Sequence, residues 1–206
     1  CAKLGLDPIV STQLDMIQKK SKYSVLVYDG CQTVKASDLT PEQFQHSLDM
    51  RTRTVHRVTL QTQMRCEGGQ SYLEYLDGIF QVCQDDLRRV ENYDFKIWDN
   101  PNSMIEDIRN KDNYLSLCRV VAGYSWRWQS KGCETIEQAI SEGLEDIGLD
   151  GHKYVWNMSN QEWILREGAV NEIGCVHTTQ GYDLNYVAVI FGHEIDYDDE
   201  SDSIVI

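Results

Sequence analysis

The stretch GCVHTTQGYDLNYVAVIFG, residues 174–192, decides how this chain is read. It has an apolar lead-in (Ile173, Cys175, Val176), a polar loop HTTQG and an apolar run over 186–191. That last run has the length and Val/Ile content of a buried strand. The loop packs an imidazole, two hydroxyls, an amide and a glycine into His177, Thr178, Thr179, Gln180 and Gly181. Hydroxyl and amide donors beside a glycine suit close backbone approach to a phosphate or sugar. The same residues equally suit a tight turn between two core strands.

Composition narrows the field. With 206 residues the chain is one large domain or parts of two, long enough to bury a substantial core. A hydrophobic content of 41%, a charged content of 25% and only three prolines describe a globular chain, not a disordered or fibrous one. No run reaches the roughly 18 apolar residues of a membrane span, and the N-terminus lacks a signal-peptide pattern. Seven cysteines with no CxxC and no CxxH pair give neither a disulfide framework nor a zinc site, so no metal centre is expected. Cys31, Cys83, Cys118 and Cys175 sit among apolar neighbours, as small buried hydrophobes do. A reducing cytoplasm is the simplest setting. The chain begins at Cys1 and stops at Ile206 within DSIVI, and reads as a fragment truncated at both ends.

The net charge of −14 does not suggest nucleic acid, whose phosphates attract basic patches. The acid is concentrated in HEIDYDDESDS at 193–203, expected to be a solvated surface loop, whereas RTRTVHR at 51–57 is the most basic segment.

Along the chain, residues 1–21 read as loop and helix, with Leu14 and Ile17 on one face. YSVLVY at 23–28 reads as a buried strand that ends at Asp29 and Gly30. Thr40, Pro41 and Gln43 open a helix with a capping box. Residues 55–60 alternate as a strand does, and residues 95–98 form a further short strand. Between them, Tyr72, Leu76, Ile79, Phe80, Cys83 and Leu87 fall on one helical face. Pro101 starts a helix with Met104, Ile105 and Ile108 inward, followed by a strand over 115–122. Thr135 and Gln138 mark a second capping box, before Ile136, Ala139, Ile140 and Leu144. Asp150-Gly151 marks a hairpin with a type I′ turn within 147–156. Alternating strands and helices predict an α/β fold with a largely parallel sheet. The link over 178–186 is short for a parallel crossover, so its strands are antiparallel or the link is one compact helical turn.

Three polar clusters follow strands directly: Asp29, Cys31 and Gln32; Gln63 and Arg65; and the HTTQG loop. Ligands of open α/β sheets bind beyond the carboxyl ends of strands, where these clusters would meet in one crevice. Taken singly, each has a plain structural reading: Asp29-Gly30 as turn residues, Arg65 as a surface ion pair, His177 as a hydrogen-bonded core histidine. The chain contains no GxxxxGK[ST], GxGxxG, GxSxG or HExxH. The Trp-bearing segments SWRWQSKG and WNMSNQEW offer bases a stacking surface, yet packing of a hairpin onto the domain is the expected role of their tryptophans.

These clusters resemble motifs of superfamily 1 helicases. VYDGCQTV (27–34) is similar to motif III, LQTQMRC (60–66) to motif IV and VHTTQGYDLNYVAVI (176–190) to motif V. With TQLDMI, QMRCEGG, RVVAGYSW and NEIGCVHTTQGYDLNYV, nearly the whole chain resembles the Schlafen group 3-like DNA/RNA helicase domain family. The resemblance implies a RecA-like P-loop NTPase fold: residues 1–60 end a first domain, and residues 61–206 form most of a second, with a hairpin-containing insertion near 124–168. It implies ATP and Mg2+ bound between the domains, and DNA or RNA as partner. Gln32 would sense the γ-phosphate and Arg65 would act as an arginine finger, with Asp29, Gln63, Gln180, Gly181 and Asp183 on the nucleotide. His177, Thr178 and Thr179 would contact nucleic acid, and the short link would be a single helical turn between parallel strands. The Walker motifs would lie before Cys1, and motif VI beyond Ile206. Tyr28 stands where motif III usually has glycine, and Met64 where an adenine-stacking tyrosine is common. The altered motif III, with the acidic charge, favours a rival reading, a non-catalytic NTPase-like scaffold or nucleotide-gated interaction module.

Overall fold

The structure, a computed structural model, describes residues 12–30, 38–49, 54–60, 66–80, 90–91, 93–158, 162–201 and 203–205. The chain folds as two compact units, Cys1–Leu60 and Gln61–Ile206.

In the first unit the described helices are α1 (Gln13–Lys20) and α2 (Pro41–Asp49). Each begins where its side chains satisfy otherwise orphan amides. The Thr12 hydroxyl accepts from the Asp15 amide at 3.2 Å, and Asp15 accepts from the Thr12 amide at 2.8 Å. Thr40 and Gln43 form the expected reciprocal box at 3.2 and 3.0 Å. The buried stripe of α1 is Leu14 with Gln18, while Ile17 is 45% exposed, so the expected Leu14/Ile17 face is corrected. Residues 23–28 and 55–60 form no strand, contrary to expectation. An extended run becomes a strand only when a neighbour takes its backbone hydrogen bonds, and no described segment does so here.

In the second unit everything is arranged about β1 (Cys118–Ala122), whose five residues are all buried. β1 is the middle of a parallel trio in the order β4-β1-β5, with β4 at Gly174–Cys175 and β5 at Tyr186–Ile190. Ala122 pairs with Cys175 on one side and Ile190 on the other. The link over 176–185 therefore steps across β1 rather than joining neighbours. Two strand spacings sideways and four residues back amount to roughly 16 Å, well within the reach of ten residues. It begins with one 3-10 turn, Val176–Thr178, and both strands are parallel to β1, as the compact-turn alternative requires. Asn185 ends it: its amide donates to the Leu115 and Ser116 carbonyls at 2.9 and 3.0 Å, and its backbone N–H to Leu117 at 3.0 Å.

Alternate residues of β1 serve opposite faces. Cys118, Val120 and Ala122 pack with Ile105 and Ile108 of α4 (Pro101–Leu115) and with Ala188 and Ile190 of β5. Val121 packs on the other side with Trp163, Ile164 and Ala169, from the 3-10 turns Trp163–Leu165 and Ala169–Asn171. Each fully buried aliphatic side chain contributes about 1.5–3 kcal/mol. α4 starts where Asn100 caps the Ser103 amide at 2.9 Å, with Pro101 in the first turn. It runs through Leu115, so the expected strand over 115–122 begins only at Cys118, after Ser116 and Leu117 turn through positive φ. Arg119, 6% exposed, donates to Asp112 at 2.8 Å and also to the Ile164 carbonyl, tying α4 to the opposite layer. β5 is less enclosed than its Val/Ile content predicts: Val187 and Val189 are 48% and 43% exposed on one face.

α5 (Ile136–Ser141) is capped by Thr135, but Gln138 turns to the Glu134 amide, so only half of the second capping box forms. The Asp150-Gly151 hairpin forms as expected, joining β2 (Ile147–Leu149) to β3 (His152–Tyr154) with both turn residues at positive φ. Asp146 fastens this hairpin, accepting from the Gln129, Ser130 and Trp156 amides and the Ser130 hydroxyl at 2.5–2.9 Å. Trp156 and Trp163 are 1% and 2% exposed and pack into the core rather than presenting a surface to bases. α3 (Gly69–Ile79) buries none of its residues; Cys83 and Leu87 of its expected face lie outside the described residues. Residues 95–98 form no strand, and Tyr72 and Tyr75 of α3 meet Phe95 through ring contacts instead. The acidic tail is partly ordered as a hairpin, β6 (Asp196–Asp198) with β7 (Ser203–Val205), rather than wholly a loop. No described helix is long and apolar enough to cross a membrane.

Candidate functional site

All three strands of the sheet point their carboxyl ends the same way, and the chain leaves that edge at Gly123, Val176 and Phe191. HTTQG therefore sits at the edge where open α/β sheets receive ligands. Its first residues close a 3-10 turn. The Thr178 hydroxyl donates to the Cys175 carbonyl and the Thr179 hydroxyl to the Val176 carbonyl, both at 2.7 Å. These side chains thus use their only donors on their own turn and keep oxygen lone pairs for outside partners. The Tyr182 amide donates to the Thr179 carbonyl at 3.2 Å, closing the next turn around Gln180 and Gly181. Gly181 has φ +93°, which disfavours any side chain, and nothing lies within 4 Å of where a Cβ would stand. Its backbone is open to close approach. Gln180, Gly181 and Asp183 are exposed.

The loop is anchored from beneath. A Cβ on Gly174 would stand 2.1 Å from the Trp163 ring, so glycine here lets the indole close against β4. His177 is exposed and stacks on Tyr124, with centroids 5.8 Å apart and 29° between planes. Tyr124 meets the buried Trp156 edge-on at 4.7 Å, and Trp156 donates to the Ala122 carbonyl at 3.2 Å. Burial and the neighbouring Cys175 thiol push the Tyr124 hydroxyl above its ordinary pKa. The result is an exposed two-ring ledge on a rigid foundation. Beside it, Trp126 and His193 place a second ring pair at 6.3 Å.

The structure brings His177, Thr178, Thr179, Gln180, Gly181 and Asp183 together on one loop. Asp29 is exposed in the first unit, and Gln32, Gln63 and Arg65 lie outside the described residues. Tyr124 was missed by sequence reasoning. The signal it carries is that of the other clusters, a polar-tipped residue just after a strand. Among the described residues no group of three or more His, Cys, Asp or Glu is placed to hold a metal ion.

A three-stranded parallel sheet flanked by helices defines an α/β protein. Residues 9–206 match the family model described as Schlafen group 3, DNA/RNA helicase domain, and the chain belongs to that family. It is 29% identical over 212 residues to an uncharacterized protein of Saccharomyces cerevisiae, YPL245W. The match covers 89% of this chain and 44% of that protein, so the chain spans less than half of its relative's length. No solved structure gives a significant match.

Proposed function

We propose that this chain is part of an ATP-dependent DNA or RNA helicase or translocase of superfamily 1, with RecA-like domains in its two units. The observation that carries this reading is the HTTQG loop at the carboxyl edge of a parallel sheet, in a member of a DNA/RNA helicase domain family. VYDGCQTV, LQTQMRC and VHTTQGYDLNYVAVI act as motifs III, IV and V. Gln32 senses the γ-phosphate, and Arg65 supplies positive charge where phosphate charge grows in the transition state. Asp29, Gln63, Gln180, Gly181 and Asp183 border the nucleotide. His177, Thr178 and Thr179 meet the nucleic-acid backbone, and the Tyr124–His177 ledge offers a π-face to a base at ~1–3 kcal/mol. The triphosphate and Mg2+ are held mainly by a GxxxxGK[ST] loop, a motif this sequence does not contain.

The test is steady-state ATPase with parallel nucleotide titration on the full-length gene product. Arg65→Ala lowers turnover on the order of 10³-fold or more while affinity changes little. Arg65→Lys rescues poorly, because a point charge does not reproduce the planar guanidinium. Turnover within about fivefold of wild type, roughly 1 kcal/mol, makes Arg65 an ordinary surface residue and ends this assignment. On the loop, Asp183→Ala weakens nucleotide binding and Thr179→Ala weakens coupling to nucleic acid; loss of thermal stability alone in both makes the loop structural.

A second reading, a non-catalytic NTPase-like scaffold, is favoured by the −14 charge, by Tyr28 in motif III and by the inward-committed Thr178 and Thr179 hydroxyls. It predicts a full-length protein without ATPase activity in the presence of any nucleic acid.

A further inference from the structure

A cavity of about 270 Å³ opens among α4, α5, β3 and the 3-10 turn Ala169–Asn171, and none of its lining residues belongs to 174–192. α4 contributes Glu106 and Arg109, from a stripe beside the one that buries Ile105 and Ile108. Ile136 and Ile140, one turn apart on α5, form an apolar wall. Lys153 and Tyr154 of β3 complete the lining used here.

Arg109 is the unusual member. Its guanidinium lies 5.8 Å from the centroid of the Tyr154 ring, and Nη2 donates to the Asn171 carbonyl at 3.3 Å. Its Nε is buried and has no hydrogen-bond partner, which is equally true of Arg119 and Arg166. Buried donors are almost always matched, and those of a charged group are the costliest to leave unmade. Among the described residues no carboxylate is within ion-pair distance of Arg109 or Lys153, in a chain whose net charge is −14. Two cations of a strongly acidic chain thus have no ion-pair partner among the described residues. Glu106, three residues before Arg109, supplies the cavity with one negative charge against these two.

We propose that this cavity binds a small organic oxyanion, a carboxylate or phosphomonoester on a short apolar body. The oxyanion sits on Arg109 and Lys153, where a planar guanidinium offers paired donors. The apolar body lies along Ile136 and Ile140. The volume suits a ligand of one ring or a short chain. This site is independent of the helicase reading.

The experiment titrates the 206-residue chain with phenyl phosphate, inorganic phosphate and benzyl alcohol, following the Arg109 Nε–H signal by NMR and affinity by calorimetry. Phenyl phosphate binds saturably and moves that signal. Inorganic phosphate binds about tenfold more weakly for want of the apolar contact, and benzyl alcohol does not compete. Lys153→Gln, at an exposed position where folding is not at stake, weakens phenyl phosphate about fivefold, and Arg109→Gln weakens it tenfold or more. Should Arg109→Gln fail to fold, Lys153→Gln and the Nε–H signal carry the test. The proposal is overturned if the signal is unmoved at roughly 10 mM phenyl phosphate, where even a millimolar site is about nine-tenths filled. It is equally overturned if benzyl alcohol binds as well, or if Lys153→Gln leaves the affinity unchanged.

Discussion

The run CRVVA at 118–122 lies between two parallel neighbours with every residue buried, whereas YSVLVY at 23–28 forms no strand and leaves Val25 94% and Val27 92% exposed. By composition the second is the better strand. β1 gains what no described segment gives the other: β4 and β5 take its backbone hydrogen bonds, α4 covers one face and Trp163 with Ile164 the other. Strand propensity describes fitness for a pleated, half-buried surface, and the surface has to be supplied by other parts of the chain.

Four measurements would break or sharpen that contrast. The largest effect is expected from Gly174→Ala, since the new methyl group meets the Trp163 ring 2.1 Å away and neither the buried ring nor β4 has room to yield. A loss of at least about 3 kcal/mol is expected, roughly 6–12 °C in Tm for a domain of this size. Thermal unfolding within 2 °C of wild type, less than about 1 kcal/mol, would mean that β4 is not held as described. Asp146→Ala should follow at about 2–3 kcal/mol, because three backbone amides and the Ser130 hydroxyl lose a charged acceptor. Urea unfolding measures it, and a cost near zero would detach the hairpin from the sheet's support.

The contrast itself is tested by a matched pair. Val120→Ala should cost about 2 kcal/mol and Val25→Ala no more than about 0.5 kcal/mol, since only Val120 leaves a cavity. Equal costs by urea unfolding would show that residues 23–28 are as enclosed as β1.

The smallest effect concerns Glu172, whose side chain is 0% exposed, holds Arg166 and accepts from the Met158 amide at 3.0 Å. Burial raises its pKa above the ordinary 4.5, and Arg166 only partly opposes this. The folded chain then binds the proton more tightly than the unfolded chain, so the contribution is fully present below 4.5 and is lost as pH rises through the folded value. Relative to Glu172→Gln, wild type should therefore lose Tm as pH climbs from 4.5 toward neutrality. A constant difference between the two across that range would remove the linkage.

Much of the site was legible in the sequence. HTTQG is a glycine-bearing polar loop between two apolar runs, and that local chemistry places it at a strand's end whatever the sheet order. Helix starts were equally local: Thr40 with Gln43 and Asn100 before Pro101 satisfy amides within three residues of themselves. So was the Asp150-Gly151 turn, which depends on two residues tolerating positive φ. What could not be read involves partners distant in sequence. Periodicity does not say that β1 separates β4 from β5, because strand order depends on which faces find cover. The Arg119–Asp112 tie and the Tyr124–His177 stack join residues that only the fold makes neighbours. The cation in the α4–β3 cavity is of the same kind: Arg109 is an ordinary helical arginine by sequence. Only packing against Tyr154 and Asn171 buries its Nε without an acceptor. Local rules determined where the elements begin and turn; long-range burial decided which of them became a sheet and which side chains face one another.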